Sequence, residues 1–268
     1  MESKNRNVLI VVIVVLVIGC CCVLALGAGA IGWFTSRYAD IGGEPFDLGP
    51  LQRERVEETF EVGDAPSLVI TNFAGSVTVR AGDGDLVRIV ATKKASSQAR
   101  LDRIEVDMSE ADGRVMIKTR KLFNNGNASV ELEITAPAGS RVQVDTGAGE
   151  VDVHSIIGQI DIHSGAGEVR VRDARGTVGV ELGAGQITYE GTPSGDCRFQ
   201  TGAGEIVLRL ADNPNVRIDV GTGLGAVDVD FDVDGRVSPR SAEGIIGDGR
   251  QGLIYAHTGV GGVSVTRR

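Results

Sequence analysis

From about Val56 onward, apolar and polar residues alternate with a period of two. LVITN sets Leu68 and Ile70 on one face, and SVTVR sets Val77 and Val79. LVRIVA does the same with Val87, Ile89 and Ala91, RIEVDM with Ile104, Val106 and Met108, and ELEI with Leu132 and Ile134. Alternation of this kind predicts short strands with one buried face. Beyond residue 34 only ASSQARLDR suggests helix, and no more than a turn or two of it.

A second, longer period is laid over the first. DTGAGEVDV, HSGAGEVRV, ELGAGQITY and QTGAGEIVL follow one another, and the first glycines of successive GxG turns are Gly147, Gly165, Gly183, Gly202, Gly223 and Gly259. The steps between them are 18, 18, 19, 21 and 36 residues, the last being twice 18. Three and five residues before each first glycine stand apolar residues, from Val144 and Val142 to Ala256 and Ile254. Four and six residues after it stand others, from Val151 and Val153 to Val263 and Val265, with Tyr189 carrying the one hydroxyl. An earlier copy runs Leu68, Ile70, Gly75, Val77, Val79, with Phe73 in place of its first glycine.

Two strands and two turns per 18 residues, with apolar columns in register, predict an all-β parallel β-solenoid, β-helix-like, in which each coil buries its apolar face on its neighbours. About eleven coils over residues 66–268, at roughly 4.8 Å each, would form a rod of ~50 Å. The GxG glycines would serve as corners, because glycine accepts positive φ. An antiparallel β-sandwich is the alternative, since closely spaced short strands fit it too.

Residues 1–34 follow a different rule. Between Val8 and Phe34 no charged residue occurs, and roughly 20 apolar residues suffice to cross a bilayer. Lys4 and Arg6 precede the run, while Trp33 and Tyr38 lie near its far end. The reading is one N-terminal transmembrane helix over 8–34 and a cytoplasmic tail over 1–7. A linker over 35–57 and an extracytoplasmic β-repeat domain over 58–268 follow, which makes a single-pass cell-membrane protein. Two rival readings use the same stretch: lipidation at Cys20 after Val17-Ile18-Gly19, or cleavage after Ala28-Gly29-Ala30.

Charge and cysteine content narrow the function. The net charge is −9, and since residues 1–34 carry only Glu2, Lys4 and Arg6, the remainder carries −10. Such a body is a poor nucleic-acid partner, because phosphate contacts need Lys and Arg. Cys20, Cys21 and Cys22 lie within the apolar run, which leaves Cys197 as the body's lone cysteine, without a disulfide partner there.

VEETFEVGDAPSLVITNFAGSVTV, ELEITAPAGSRVQVDTGAGEVDV and the serial GxG units resemble a bacterial family of putative adhesins with β-strand repeats, over residues 56–268. The resemblance implies a β-repeat domain, in many members joined to a membrane anchor. It brings no catalytic residues.

Candidate chemistry is sparse. A dinucleotide fingerprint needs a helix after its glycines, and a strand follows each GxG here. The aspartate of a calcium roll would fall on Val151, Val169, Ile187 and Ile206, which are core positions. Glu150, Glu168 and Glu205, with Gln186 between, would form one stacked column whose repulsion a cation could relieve. His154 and His163 flank a short turn, near Asp152 and Asp161, and with His257 complete the histidines. A basic cluster (Lys93, Lys94, Arg100, Arg103, Arg114, Lys118, Arg120, Lys121) is interspersed with Glu105, Asp107, Glu110 and Asp112. No catalytic, cofactor-binding or metal-binding residue is assigned, and no cofactor. The expected role is binding or structural rather than enzymatic: an adhesin at the cell surface, with the membrane and a cell-wall or surface ligand as partners. The alternative is an accessory or sensor in envelope-stress regulation acting through a membrane partner.

Overall fold

The computed structural model describes residues 51–268, which lie within one compact unit, Gly49–Arg268. Among the described residues seventeen strands join in one sheet, with parallel and antiparallel pairings mixed. One short helix, α1 (Gln98–Leu101), interrupts them and buries Leu101.

The repeat copies stack in parallel and in register. Arg141–His154 (β8) pairs with Ile157–Pro193 (β9), setting Val142 opposite Ile160, Val144 opposite Ile162 and Val151 opposite Val169. The apolar columns predicted from spacing are buried, from Val142 and Val144 through Tyr189 and Phe199 to Val263 and Val265. Only Val227 and Val229, in the three-residue edge strand Val227–Val229 (β13), are partly exposed.

The parallel β-solenoid does not hold as the fold, and neither does the antiparallel sandwich. Two features overturn the uniform coil. First, stacking order departs from chain order. Ser67–Asn72 (β2) pairs directly with β8, although five other strands lie between them in the chain. Likewise Leu253–Val260 (β16) pairs with Cys197–Ala203 (β10) on one side and Val216–Leu224 (β12) on the other. The last copy in sequence is thus inserted between the two that precede it. The 36-residue step holds no skipped coil; it is the length needed to leave the stack and return. Seven copies stack, beginning at Leu68, Val142, Ile160, Val178, Cys197, Ile254 and Ile218 in spatial order.

Second, antiparallel elements extend both ends. Leu86–Ala95 (β4) pairs antiparallel with both Gln52–Glu61 (β1) and Ala128–Pro137 (β7). Ile104–Ala111 (β5) and Arg114–Lys121 (β6) form a hairpin through Asp112 and Gly113, both at positive φ (53° and 74°). An Asp-Gly pair with both residues at positive φ is the turn that matches the twist of antiparallel strands. At the other end Asp234–Ser238 (β14) and Ser241–Ile246 (β15) form a hairpin that pairs antiparallel with β12.

The GxG glycines serve two purposes. The second of each pair has positive φ, from Gly149 (144°) to Gly225 (151°), as a corner residue should. For the first glycine the reason is close stacking. A Cβ on Gly202 would stand 2.6 Å from the Gly183 carbonyl oxygen, and one on Gly223 2.6 Å from that of Gly259.

The single-pass placement is also corrected. No helix among the described residues is long and apolar enough to cross a membrane. The span predicted over 8–34, the tail over 1–7, and Cys20 all lie outside the described residues. Of the stretch read as a linker, the part from Gln52 is strand β1.

Candidate functional site

A groove of about 880 Å³ runs across six stacked copies at the corner preceding the GxG turn. Two side-chain columns build it. The inner column holds Asn72, Thr146, Ser164, Leu182, Thr201 and Thr258, all buried. The outer column, one residue earlier in each copy, holds Thr71, Asp145, His163, Glu181, Gln200 and His257. The first GxG glycines line it as well, their missing side chains leaving the corner hollow.

The inner hydroxyls serve the turns. Thr258 Oγ1 donates to the carbonyls of Gly204 (3.0 Å) and Val260 (3.2 Å), and Thr201 Oγ1 to that of Ala203 (3.4 Å). Thr146 Oγ1 is buried without a partner. One end of the groove carries a buried network: Asn72 Nδ2 donates to the Val130 carbonyl (3.0 Å) and Thr119 Oγ1 donates to Asn72 Oδ1 (2.7 Å). Thr119 Oγ1 in turn accepts from the Phe73 amide (3.1 Å).

The outer column presents the chemistry. His163 Nδ1 lies 3.4 Å from Glu181 Oε2, and His257 Nε2 lies 3.0 Å from Asp219 Oδ1. Gly221 makes room for the latter, since a Cβ there would stand 2.8 Å from His257 Cε1. The His257 ring stacks on Tyr255 with centroids 4.3 Å apart, and the Arg198 guanidinium lies 4.6 Å from the Tyr255 ring centre. These residues lead into a second hollow of about 320 Å³, lined by Asp161, Gly179, Glu181, Asp196, Arg198 and Tyr255 among others. His163 and Glu181 line both.

The structure separates several groups that lie close together in the sequence. His154 and His163 do not form a pair: His154 Nε2 meets Asp173 Oδ2 at 3.1 Å, whereas His163 meets Glu181. Asp152 pairs with Arg172. The stacked Glu150 and Glu168 are bridged by one side chain, Arg170, which lies 2.5 Å from Glu168 Oε2 and also pairs with Glu150. Gln186 Nε2 donates to Glu205 Oε2 at 3.4 Å. Protein groups therefore relieve the repulsion in this column. No cluster of three potential metal ligands occurs among the described residues. In the basic cluster, Lys93 pairs with Glu54 (2.9 Å) and Arg120 with Glu105 (3.1 Å) and Asp107 (2.5 Å).

One arrangement that sequence reasoning missed has the bonding order of a nucleophilic triad. Ser155 Oγ lies 3.2 Å from His154 Nδ1, and His154 reaches Asp173. A working triad also needs donors aimed at a developing oxyanion. Here the Ser155 amide donates to the Arg172 carbonyl (2.9 Å), and neither hollow is lined by these residues. Asp173 is further held by Arg268 at 2.5 Å, which keeps its carboxyl below the usual carboxylate value. Arg268 also meets Glu190 at 2.7 Å. The set clasps Arg268 onto β9.

No protein-family model matches the chain, and no curated protein matches it. Solved structures similar to it include a putative cell adhesion protein from Clostridium sporogenes (14% identity, TM-score 0.44), covering 80% of this chain and 100% of that one. A putative adhesin from Bacteroides fragilis is also similar (10%, TM-score 0.35), covering 79% and 97%. A third is a putative lipid binding protein from Parabacteroides distasonis (12%, TM-score 0.33), covering 80% and 97%. None reaches a TM-score of 0.5, so the similarity by itself assigns neither fold nor function.

Proposed function

We propose that this chain is a binding protein of adhesin type, which recognises an external surface through the groove along its GxG corners. The observation that carries this reading is the groove itself. It spans six copies, is open along its length, and takes an outer polar side chain from every copy. A repetitive surface of this kind suits a repetitive ligand, because each added layer adds one similar set of contacts. Its volume falls within the range of ordinary ligand sites. The reading is non-enzymatic: the polar residues that line the groove form a ladder rather than a nucleophile, base and oxyanion donors converging on one point.

The test is binding of the labelled full-length chain to intact bacterial cells and isolated cell walls. Saturable binding that falls when Glu181 and Gln200 are replaced by alanine supports the reading. Absence of saturable binding to either surface refutes it.

A further inference from the structure

The chemistry of the groove narrows the ligand class, on the adhesin reading above. Three observations bear on it. The strands beneath the groove are paired on both sides: β2 lies between β6 and β8, β10 between β9 and β16, and β16 between β10 and β12. No sheet edge is offered there, so an extended peptide cannot add itself as a strand. Recognition must come from side chains.

The charged groups among those side chains are mostly carboxylates. Asp145 and Glu181 face the main groove, and Asp161 and Asp196 line the adjoining hollow. The one Arg or Lys lining either is Arg198, whose guanidinium is engaged over Tyr255. Carboxylates in this number repel phosphate, sulfate and uronate groups. They accept well from neighbouring hydroxyls, through the oxygen of each that is not already engaged by Gln143 (on Asp145), Gln159 (on Asp161), the Leu253 amide (on Asp196) or His163 (on Glu181). Gln200, His163 and His257 can donate as well as accept, which suits hydroxyl groups.

The third observation is periodicity. The outer column repeats once per stacked strand, at the interstrand spacing of about 4.8 Å. A ligand lying along it meets a fresh polar side chain at each step, over a floor of buried Asn, Thr and Ser side chains, Leu182 and the glycine corners.

We infer that the groove binds an uncharged polysaccharide lying along the stack, with Asp145, Glu181 and Gln200 accepting from its sugar hydroxyls and His163 contacting it between the first two. Gly179 lets the Asp161 carboxylate lie close over the sheet, where a Cβ would stand 2.9 Å from its Oδ1, and the second hollow that both line takes a branch or a pendant sugar. Neither anionic wall polymers nor basic peptides meet both conditions, acceptor-rich walls and no strand edge.

The experiment is calorimetric titration of the full-length chain with neutral polysaccharides spanning α- and β-linked glucans, mannans, galactans and xylans. Polygalacturonate and poly-lysine serve as charged counterparts. The expected result is saturable binding of at least one neutral polymer, changing less than about twofold in high salt because no ion pair is screened. Glu181→Ala, at a side chain more than half exposed, should weaken it about tenfold or more, as loss of a hydrogen bond to a charged group does. Asp228→Asn, on exposed β13 outside the groove, should leave it unchanged. The inference is overturned if no neutral polymer binds, if only a charged one does, or if Glu181→Ala binds as the parent. Should the chain bind cells or walls while neutral polymers neither bind nor compete, the ligand assignment fails and the adhesin reading stands. Absence of any surface binding refutes the adhesin reading itself.

Discussion

Gly259 sits against the carbonyl of Gly202, with a Cβ there meeting that oxygen at 2.5 Å, although the whole copy from Ile218 to Val229 lies between them in the chain. The contact marks where the last repeat has been inserted into the stack. It also shows why glycine is required at a position whose φ is ordinary: the neighbouring backbone occupies the space of a side chain.

Glycine substitutions should therefore separate cleanly by position. Gly204 combines positive φ (142°) with the Gly185 carbonyl in its path, whereas Gly63 has nothing within 4 Å. Gly204→Ala is expected to cost about 3 kcal/mol, from the strained backbone together with the forced separation of two copies. Gly63→Ala should be near neutral. Urea unfolding midpoints of both variants check this.

Val169 is fully buried and pairs with Val151 in the next copy. Val169→Ala should lower stability by about 2 kcal/mol through cavity formation, while Val169→Asp should lower it several-fold more by placing an unpaired charge in the column. Equal melting of Val169→Asp and the parent would mean that this column does not face inward.

Arg170 holds the stacked Glu150 and Glu168 together. Its side chain is one-third exposed, so Arg170→Gln is expected to cost only about 1 kcal/mol or less. The loss should shrink in high salt, as the repulsion left between the two carboxylates is screened. Thermal melts at low and high ionic strength read both effects.

Asp173 has its carboxyl lowered from 3.8, chiefly by the hydrogen bond from Arg268, which outweighs the opposing desolvation, with the charges of Arg268 and His154 adding to the lowering. A folded-state value below the unfolded one stabilises above the unfolded value, and the benefit is lost as pH falls through the folded one. Arg268→Ala should thus melt below the parent at neutral pH, and the gap should close as the solution is acidified below 3.8. A gap that persists unchanged in acid would assign the Arg268 contribution to packing instead.

Cys197 is buried, and burial pushes its thiol up to about 11. At neutral pH it should remain protonated and inert, since the thiolate is the nucleophile. Alkylation followed by peptide mass mapping should find Cys197 unmodified in the native protein and modified after denaturation.

Period-two alternation and the 18-residue spacing by themselves determined the strands, the buried columns and the positions of the corners. Val142, Ile160, Val178 and their partners are apolar because each strand must bury one face, and that demand is local enough to be written in the sequence. The candidate site was legible only in part. GxG was visible as a corner, but Asp145, His163, Glu181 and Gln200 read as ordinary outward residues, and their alignment into a groove depends on which copy stacks on which. Stacking order was decided by tertiary structure alone. Identical apolar columns fit any neighbour equally well, so spacing could not show that β16 enters between β10 and β12. The Asp112-Gly113 turn and the β14–β15 hairpin, which make the ends antiparallel, are choices between alternative strand partners. Arg170 belongs to the same class: two positions beyond Glu168 in sequence, it reaches Glu150 only because the next copy lies alongside.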